Sequence, residues 1–378
     1  MAKTAAPERS AVERRVEIMS GNEAIARGAW EAGVRFASAY PGTPSTEILE
    51  ALSRYDGVYC EWSPNEKVTM ETATGASMAG ARALACMKHV SLNVAADPFF
   101  SASHVGVKGG LVVVSADDPA MHSSQDEQDN RQYARFAKLP LVEAAEAGEV
   151  IEYLKAAYAL SERFDTPVLF RTTTRTSHSQ GIVELGDRAA DLEPITVLDR
   201  NPTKNLMMPH NARPKHVFIE QRLLDLAEWA ETSALNRIEM GDPRVGIVAA
   251  GAAYGYAREA FPAASFFKLG LTYPLPRKLV AEFRSRVEKL YVVEELDPFL
   301  EELIRLWGSR STAARTCCRC GASSTPASWP GRCRRPACRA STPTCCRCQG
   351  RRPASCPTAR RRSAPAARTA ASSWRCAR

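Results

Sequence analysis

The sequence has no uninterrupted run of about 18 apolar residues, the length that a membrane-spanning helix needs. Its N-terminal segment, MAKTAAPERSAVERRVEIMSGNEA, also lacks the apolar core of a secretory signal peptide. Only two cysteines, Cys60 and Cys86, precede residue 309, which is typical of a protein from a reducing compartment. These absences lead us to expect a cytoplasmic protein that does not enter a membrane.

Residues 309–378 lack Leu, Ile, Val, Met, Phe, Tyr, Asp, Glu, Lys, Asn and His. A segment with almost no large apolar side chains cannot bury a core, so we predict a disordered, low-complexity tail. The tail holds 16 of the 50 basic residues and none of the 42 acidic ones, which leaves 34 basic residues in the body. The formal net charge of +8 therefore averages an acidic body and a basic tail.

The tail is rich in cysteine, and its pairs Cys317/Cys320 and Cys345/Cys348 have the C-x-x-C spacing of zinc and iron–sulfur sites. The 24 residues between the pairs and the adjacent Cys318 do not fit a zinc ribbon. We therefore expect no metal site in the tail, and none on the scattered histidines. Binding of nucleic acid through the arginines is a weaker alternative, and we expect no such partner.

The codons behind the tail suggest another interpretation. In 69 of its 70 residues, Gln349 being the exception, the amino acid is encoded with G or C at the second codon position. Protein physics does not select such a set, whereas a shifted reading frame in a GC-rich gene produces it. We favour an out-of-frame tail over a genuine basic tail, and resequencing the DNA at the start of the tail would distinguish them.

Strands and helices alternate along the body, which predicts an α/β fold with a parallel sheet covered on both faces. The clearest strand is Leu111–Ser115, and AGEVIEYLKAAYALSERF is a clear amphipathic helix. We predict five segments: a flexible extension (1–17), an α/β domain (18–185), a connector with one helix near 216–232 (186–243), a smaller α/β domain (244–308) and the tail (309–378).

Three polar segments follow predicted strands, where ligands of such folds bind: YPGTPST, EWSPNEK and SADDPAMHSSQDEQDNR. In the first, two prolines stiffen the loop around Thr43, whose hydroxyl could bind a small ligand; the alternative is a plain turn with Ser45 or Thr46 as helix N-cap. In the second, Glu66 precedes a helix rich in small residues. It is either a solvated carboxylate favoured by the helix dipole or a partner for a nitrogen heterocycle.

The third segment is either a solvated loop or a loop that faces a substrate or a subunit. Neither GVKGG at 106–110 nor GAAYG at 251–255 has the G-x-G-x-x-G spacing, so we predict no dinucleotide site. The small-residue helix, ETATGASMAG, should allow another element to approach its backbone closely.

Together these segments resemble one family. SGNEAIARGAWEAGVRFASAYPGTPSTEI, EWSPNEKVTMETATGASMAGARAL, MKHVSLNVAADPF, GVKGGLVVVSADDPAMHSSQDEQDNR and PVLFRTTTRTSHS are similar to the N-terminal region of the α subunit of indolepyruvate:ferredoxin oxidoreductases. These are thiamine-diphosphate-dependent 2-oxoacid:ferredoxin oxidoreductases. The resemblance covers about residues 18–308 and implies a pyrimidine-binding (PYR) domain to residue 185. It also implies a transketolase C-terminal-like domain over 244–308.

The resemblance also implies roles for individual residues. Glu66 would exchange a proton with N1′ of the aminopyrimidine of thiamine diphosphate, with Asn65 and Gly42 also at the cofactor. Thr43 and Tyr40 would lie at the substrate. Gly42 stands where pyruvate enzymes of the wider family have a larger residue, which suggests room for an aryl side chain. The implied substrates and partners are arylpyruvate, CoA, ferredoxin and a β/γ-type subunit in an oligomer.

The sequence departs from the family in two respects. It has no G-D-G…N motif for the diphosphate and Mg²⁺, since MGDPRVG at 240–246 does not match it, and it has no ferredoxin-like cysteine run. We therefore expect half of a cofactor site here, with Mg²⁺ and 4Fe–4S clusters in a full-length parent, and no activity of this chain alone. The alternative is a different thiamine-diphosphate-dependent 2-oxoacid decarboxylase or oxidoreductase subunit, whose diphosphate domain is a separate chain.

Overall fold

A computed structural model describes residues 15–190, Ile195 and 200–307. The tail over 309–378, and with it the predicted disorder and the cysteine pairs, lies outside the described residues, as do residues 1–14. The described residues all fall within one compact unit. No helix in this part of the chain is both long enough and apolar enough to cross a membrane.

Strands and helices alternate through the described residues. The strands are β1 Arg15–Ser20, β2 Phe36–Ala39, β3 Tyr59–Trp62, β4 Ala83–Lys88, β5 Leu111–Asp117, β6 Leu141–Glu143, β7 Val168–Thr173, β8 Gln180–Leu185, β9 Arg237–Glu239, β10 Asp242–Ala250, β11 Ala264–Leu269, β12 Leu271–Tyr273 and β13 Lys289–Val293. The helices are α1 Gly21–Glu31, α2 Thr46–Leu52, α3 Glu66–Met78, α4 His89–Val94, α5 Ala96–Val105, α6 Arg131–Ala137, α7 Ala147–Phe164, α8 Thr174–His178, α9 Pro202–Asn205, α10 Pro209–Ala230, α11 Gly251–Ala260, α12 Arg277–Ser285 and α13 Phe299–Leu306.

The largest sheet has seven strands in the order β12-β6-β7-β5-β4-β2-β3. All neighbours pair in parallel except β12, which pairs antiparallel with β6. Every residue of β5 and of β7 is buried, as expected for central strands with helices on both faces. The predicted parallel-sheet α/β fold is therefore confirmed.

Alternate residues of β5 pack into two separate cores, one on each face of the sheet. Val112 and Val114 join the core that contains Ile25 of α1 and Leu154 of α7. Leu111 and Val113 instead join the core that contains Phe99 of α5 and Met70 of α3. This alternation follows from the two-residue period of a strand, and it places the helices as two layers around one sheet.

Local sequence signals explain where the first helix starts and stops. Ser20 and Glu23 form a capping box, in which the Ser20 side chain accepts from the Glu23 amide and the Glu23 carboxylate accepts from the Ser20 amide. The chain turns after the helix at Gly33, whose φ of +78° favours glycine. Gly33 therefore directly follows the C-cap residue Ala32 and turns the chain away from the helix.

A second, four-stranded sheet has the order β13-β10-β11-β9. Strands β10, β11 and β13 are parallel, and β9 pairs antiparallel with β11 at the edge. The strands and helices predicted after residue 244 are present. However, β9 lies within the predicted connector, and β12 leaves this region to pair with the first sheet. The boundaries at 185 and 243 therefore stay predictions.

The flexible extension predicted over residues 1–17 is wrong for its last three residues. Strand β1 begins at Arg15 and pairs antiparallel with β8, residue for residue from Arg15 opposite Leu185 to Ser20 opposite Gln180. The strand has only six residues and is mostly exposed, and it follows a polar segment, so it was not separated from the extension before it.

The small-residue helix α3 is approached closely at its C-terminal end, as predicted. The amide of Gly109 donates to the Ser77 carbonyl at 2.9 Å. A Cβ on Gly109 would lie 2.3 Å from the carbonyl oxygen of Ala81, whereas a Cβ on Gly75 would meet no atom within 4 Å. Close approach therefore requires glycine at 109 but not at 75.

These two glycines give a matched pair of stability predictions. Gly109→Ala should destabilise the chain by about 1–3 kcal/mol, because backbone atoms must move to admit the methyl group. Gly75→Ala should stabilise it by about 0.5–1 kcal/mol, because alanine lowers the entropy cost of an exposed helical position. Urea denaturation midpoints measure both changes. Equal effects of the two substitutions would contradict the packing described for Gly109.

Candidate functional site

The parallel strands of the seven-stranded sheet end at one common edge. The segments that follow β2, β3, β4, β5 and β7 meet there, and we call this edge the ligand edge. It carries all five site residues predicted from the sequence, which are Tyr40, Gly42, Thr43, Asn65 and Glu66. The sheet thus brings together two segments that are separated along the chain, the Tyr40–Thr46 loop and the start of α3.

Its own hydrogen bonds hold the loop after β2 in place. The Gly42 amide donates to Thr46 Oγ1 at 2.9 Å, and the Gly42 carbonyl accepts from the Ser45 amide at 2.8 Å. Asn22 Nδ2 of α1 donates to the Pro44 carbonyl at 2.7 Å. The loop is therefore fixed before any ligand arrives, which lowers the entropy cost of binding.

The predicted N-cap is only partly correct. Ser45 does occupy the N-cap position of α2, but its side chain makes no capping hydrogen bond. Its hydroxyl instead donates to the Gly42 carbonyl at 2.9 Å, so it braces the loop. Thr43 and Tyr40 are exposed at the ligand edge, and the Thr43 hydroxyl makes no hydrogen bond to any residue in the described part of the chain.

The suggestion that Gly42 leaves room for an aryl group stays a prediction, and the side chain that lies beside Gly42 bears on it. A Cβ at this position would lie 3.0 Å from Cδ and 3.1 Å from Cγ of Lys88, the last residue of β4. The space beside Gly42 is therefore filled by the methylene groups of Lys88. A side chain at position 42 would require the Lys88 side chain to shift by a few tenths of an ångström, so glycine favours this packing.

Glu66 is the first residue of α3, and Asn65 fixes where that helix begins. Asn65 Oδ1 accepts a hydrogen bond from the Val68 amide at 3.0 Å, an N-cap of the usual kind. Glu66 is 7 % exposed, so most of the residue is buried, and the choice between the two interpretations of its carboxylate stays a prediction.

The Glu66 carboxylate has no partner among the described residues, whether as a hydrogen bond or as an ion pair. The adjacent Lys67 does not neutralise it, because the Lys67 ammonium pairs with Asp97 at 3.2 Å and Glu71 at 3.8 Å. Most of the residue is buried, but its carboxylate oxygens are not among the fully buried atoms that lack a partner, so they remain open to the ligand edge. Such a group at a ligand edge suits a role in binding a ligand that supplies the missing partner.

Asp118 anchors the loop that follows β5. Its Oδ2 accepts from the Ser123 amide at 2.7 Å and its Oδ1 accepts from the Thr174 hydroxyl at 2.7 Å. Burial raises the pKa of Asp118, but these hydrogen bonds outweigh burial and hold the pKa below its ordinary value. An ionised Asp118 thus keeps the loop at the ligand edge.

The end of the same loop is buried, so the solvated-loop interpretation is wrong for that part. Asn130 is fully buried, and its Nδ2 donates to Ser115 Oγ at 2.7 Å and to the His89 carbonyl at 3.0 Å. Asp129 and Arg131, on either side of it, are also buried and pair with each other. The loop is therefore mostly exposed after Asp118 and becomes buried again at Asp129.

A buried ionic cluster continues from this return, and it was missed in the sequence. Arg131 Nη1 pairs with Glu294 at 2.8 Å, and Arg171 pairs with Asp117 at 2.6 Å and with Glu143. The available signal was a charged residue within or just after an otherwise apolar strand, as at Glu143 in β6 and Arg171 in β7. Burial, which opposes ionisation, raises the pKa of Asp117 although Arg171 favours its charge.

A cavity of about 610 Å³ lies beside the ligand edge rather than at the predicted residues. It is lined by His122, by Thr174, Arg175, Thr176, His178 and Ser179 after β7, and by residues of α11 including Tyr256. None of the five predicted site residues lines it. Within residues 15–190 and 200–307, no three His, Cys, Asp or Glu side chains are grouped so that they could hold a metal ion.

The fold and the site define an α/β protein in which the carboxyl edge of a parallel sheet presents an unpartnered, nearly buried glutamate. A family described as "Pyruvate flavodoxin/ferredoxin oxidoreductase, thiamine diP-bdg" matches residues 27–225. This span is more than half of the 378 residues. The chain belongs to this family, and the family assignment made from the sequence is confirmed.

Curated relatives agree with this assignment. The indolepyruvate oxidoreductase subunit IorA of Archaeoglobus fulgidus is 45% identical over 300 residues, which are 76% of this chain and 48% of that protein. The protein of the same name from Methanothermobacter marburgensis is 47% identical over 292 residues, 75% of this chain and 47% of that protein. The chain thus spans about half the length of these relatives. The 2-oxoglutarate synthase subunit KorA of A. fulgidus is 27% identical over 316 residues, 75% of this chain and 88% of that protein.

A solved structure shares the fold. The 2-oxoglutarate:ferredoxin oxidoreductase from Magnetococcus marinus, determined with 2-oxoglutarate, coenzyme A and succinyl-CoA bound, superposes with a TM-score of 0.64 at 18% identity. The match covers 79% of this chain and 61% of the other. At this identity the likeness concerns the fold alone.

Proposed function

We propose that this chain is the N-terminal part of the α subunit of an indolepyruvate:ferredoxin oxidoreductase. The parent enzyme would convert arylpyruvate, CoA and oxidised ferredoxin into arylacetyl-CoA, CO₂ and reduced ferredoxin in the cytoplasm. The degree of identity supports an aryl substrate, since the two indolepyruvate oxidoreductase subunits are 45% and 47% identical and the 2-oxoglutarate synthase subunit 27%.

The observation that carries the proposal is the unpartnered carboxylate of Glu66, a mostly buried residue at the ligand edge. The residues fit thiamine diphosphate, because a nitrogen heterocycle would provide the partner that the protein does not. Glu66 would hold a proton against N1′ of the aminopyrimidine, in a position fixed by the Asn65 cap of α3. Bound thiamine diphosphate supplies the electron sink that decarboxylation of a 2-oxoacid needs.

The loop after β2 would form the substrate side of the site. Its hydrogen bonds would hold Gly42 in place beside the cofactor, and the unpaired Thr43 hydroxyl would be available to a substrate oxygen. Tyr40 adds an exposed ring at the strand end, which suits contact with an aryl group. Gly42, Thr43 and Tyr40 would bind and orient the cofactor and the substrate, and Glu66 would hold the proton at N1′ of the aminopyrimidine.

The remaining parts of the reaction belong to the parent. The sequence has no G-D-G…N motif, so Mg²⁺ and the diphosphate would be held by a domain beyond this sequence, and the 4Fe–4S clusters by another. A β/γ-type subunit would complete the oligomer. We therefore propose that this chain supplies the pyrimidine-facing half of the cofactor site and is inactive by itself.

Restoring the reading frame at the start of the tail tests this proposal. The full-length product, combined with its partner subunit, should oxidise indolepyruvate with CoA and a low-potential electron acceptor, and only when thiamine diphosphate is present. The 378-residue chain, assayed in parallel, should show no turnover. Turnover by the 378-residue chain would refute the half-site, and preference of the restored enzyme for 2-oxoglutarate would refute the aryl substrate.

A further inference from the structure

Lys88 lies at the centre of the ligand edge and connects two of its loops. It ends β4, which lies between β2 and β5 in the sheet. Its methylene groups pack against Gly42 in the loop after β2, where a Cβ would be 3.0 Å from Lys88 Cδ. Its ammonium reaches the loop after β5, donating to the Ser123 carbonyl at 3.3 Å and to Ser124 Oγ at 3.4 Å.

No carboxylate pairs with the Lys88 ammonium in the described residues. Both of its acceptors are neutral oxygens at long distances, although an ammonium has three donors and binds anionic oxygens more strongly. Two acids of the neighbouring loop, Asp118 and Glu127, are engaged elsewhere. Asp118 accepts from Ser123 and Thr174, and Glu127 accepts from the Ala120 amide at 2.6 Å. The half-buried lysine therefore keeps a cationic group for an anion from outside the chain.

We propose that Lys88 binds the carboxylate of the 2-oxoacid substrate and sets where that carboxylate sits. This inference rests on the proposed function, because a 2-oxoacid must enter the ligand edge. Packing against Gly42 fixes the direction of the Lys88 side chain, so the ammonium is placed before binding. Gly42 then acts indirectly: its missing side chain makes room for Lys88 rather than for the aryl group.

Lys88 contacts Gly42 through its methylene groups and Ser123 and Ser124 through its ammonium, and these contacts favour a binding role over a purely structural one. A structural lysine on a sheet edge would normally be paired with one of the nearby acids, and Lys67 in α3 is paired in that manner. Lys88 instead holds its ammonium between two loops that both belong to the ligand edge. A carboxylate bound there would replace two weak neutral contacts by a charge-assisted one.

Ligand-observed NMR on the intact 378-residue chain tests the inference with phenylpyruvate as the probe. We expect Lys88→Met to weaken phenylpyruvate binding tenfold or more, and Lys88→Arg to stay within a few-fold of wild type. The uncharged methyl ester of phenylpyruvate should bind wild type and Lys88→Met equally. Lys108→Met is the matched control, because Lys108 is exposed before the start of β5, at the opposite end of the strand; it should bind like wild type.

Each outcome of this experiment decides the inference. Equal binding of phenylpyruvate by wild type and Lys88→Met overturns the inference. It is also overturned if Lys88→Met weakens the binding of inorganic diphosphate but not the binding of phenylpyruvate. No binding by the wild-type chain overturns a carboxylate site within this chain. None of these results touches the reaction itself, which the turnover of the frame-restored enzyme tests separately. Matching thermal midpoints of the variants show that the fold is retained.

Discussion

Glu66→Gln is expected to lower turnover of the frame-restored enzyme by about 10²–10⁴-fold, the range found when a positioned acid–base group is removed. Glutamine keeps the shape and the hydrogen-bonding capacity of the side chain but cannot exchange a proton with a ring nitrogen. Because Glu66 has no partner among the described residues, the substitution breaks no existing contact. The effect should therefore appear in the rate and not in the folding of the chain.

Glu71→Gln is the matched control for this prediction. Glu71 lies on the same helix, and its carboxylate is about half exposed and pairs with Lys67 at 3.8 Å. Such an exposed pair contributes little to stability, so Glu71→Gln should leave both turnover and the thermal midpoint near wild type. Steady-state assays with saturating thiamine diphosphate make the comparison. Wild-type turnover by Glu66→Gln would remove Glu66 from the mechanism, whatever its position.

Much of the fold could be predicted because buried strands carry strong local patterns. Leu111–Ser115 is a continuous apolar run between turn signals, and the structure places it at the centre of the sheet. By contrast, β12 has three residues and pairs with β6 about 130 positions earlier, with Leu271 opposite Val142. No local pattern encodes such a pairing, since it depends on how the two sheets come together.

The candidate site likewise has a part that could be predicted from the sequence and a part that could not. The location of Glu66 and Thr43 at the ligand edge could be predicted because each follows a strand, and the ends of parallel strands share one edge. The contact between Lys88 and Gly42 could not be predicted, because only the folded sheet creates it. The buried ionic cluster was also out of reach: Asp129 and Arg131 looked like any solvated loop residues until the loop was seen to return into the protein.

The second prediction concerns the stability that the buried Asp129–Arg131 pair contributes, compared with the exposed Asp242–Arg244 pair. Asp129 and Arg131 form an Asp-x-Arg pair with an N–O distance of 2.5 Å and side chains that are 1 % and 2 % exposed. Arg131 also pairs with Glu294 and donates to the carbonyls of Glu295 and Asp297 after β13. It thereby joins the loop after β5 to the end of the four-stranded sheet.

The pKa shifts in this cluster give the pH dependence of its stability. Burial raises the pKa of Asp129, but Arg131 outweighs burial and holds that pKa below its ordinary value. Such a carboxylate contributes stability above its unfolded pKa and loses it as the pH falls through the folded pKa. Burial raises the pKa of Glu294 even with Arg131 present, so removing the arginine should raise that pKa further and should also raise the pKa of Asp129.

We expect Arg131→Met to destabilise the chain by about 3–5 kcal/mol at neutral pH, because it leaves two carboxylates buried without a cation. The loss should shrink on acidification, since protonation then neutralises Asp129 and Glu294 at little cost. Arg244→Met is the control: Asp242 and Arg244 repeat the Asp-x-Arg spacing and the 2.5 Å contact, but Arg244 is 75% exposed. Urea midpoints at several pH values should therefore move for Arg131→Met and stay unchanged for Arg244→Met. Equal shifts in the two variants would show that burial does not set the strength of this pair.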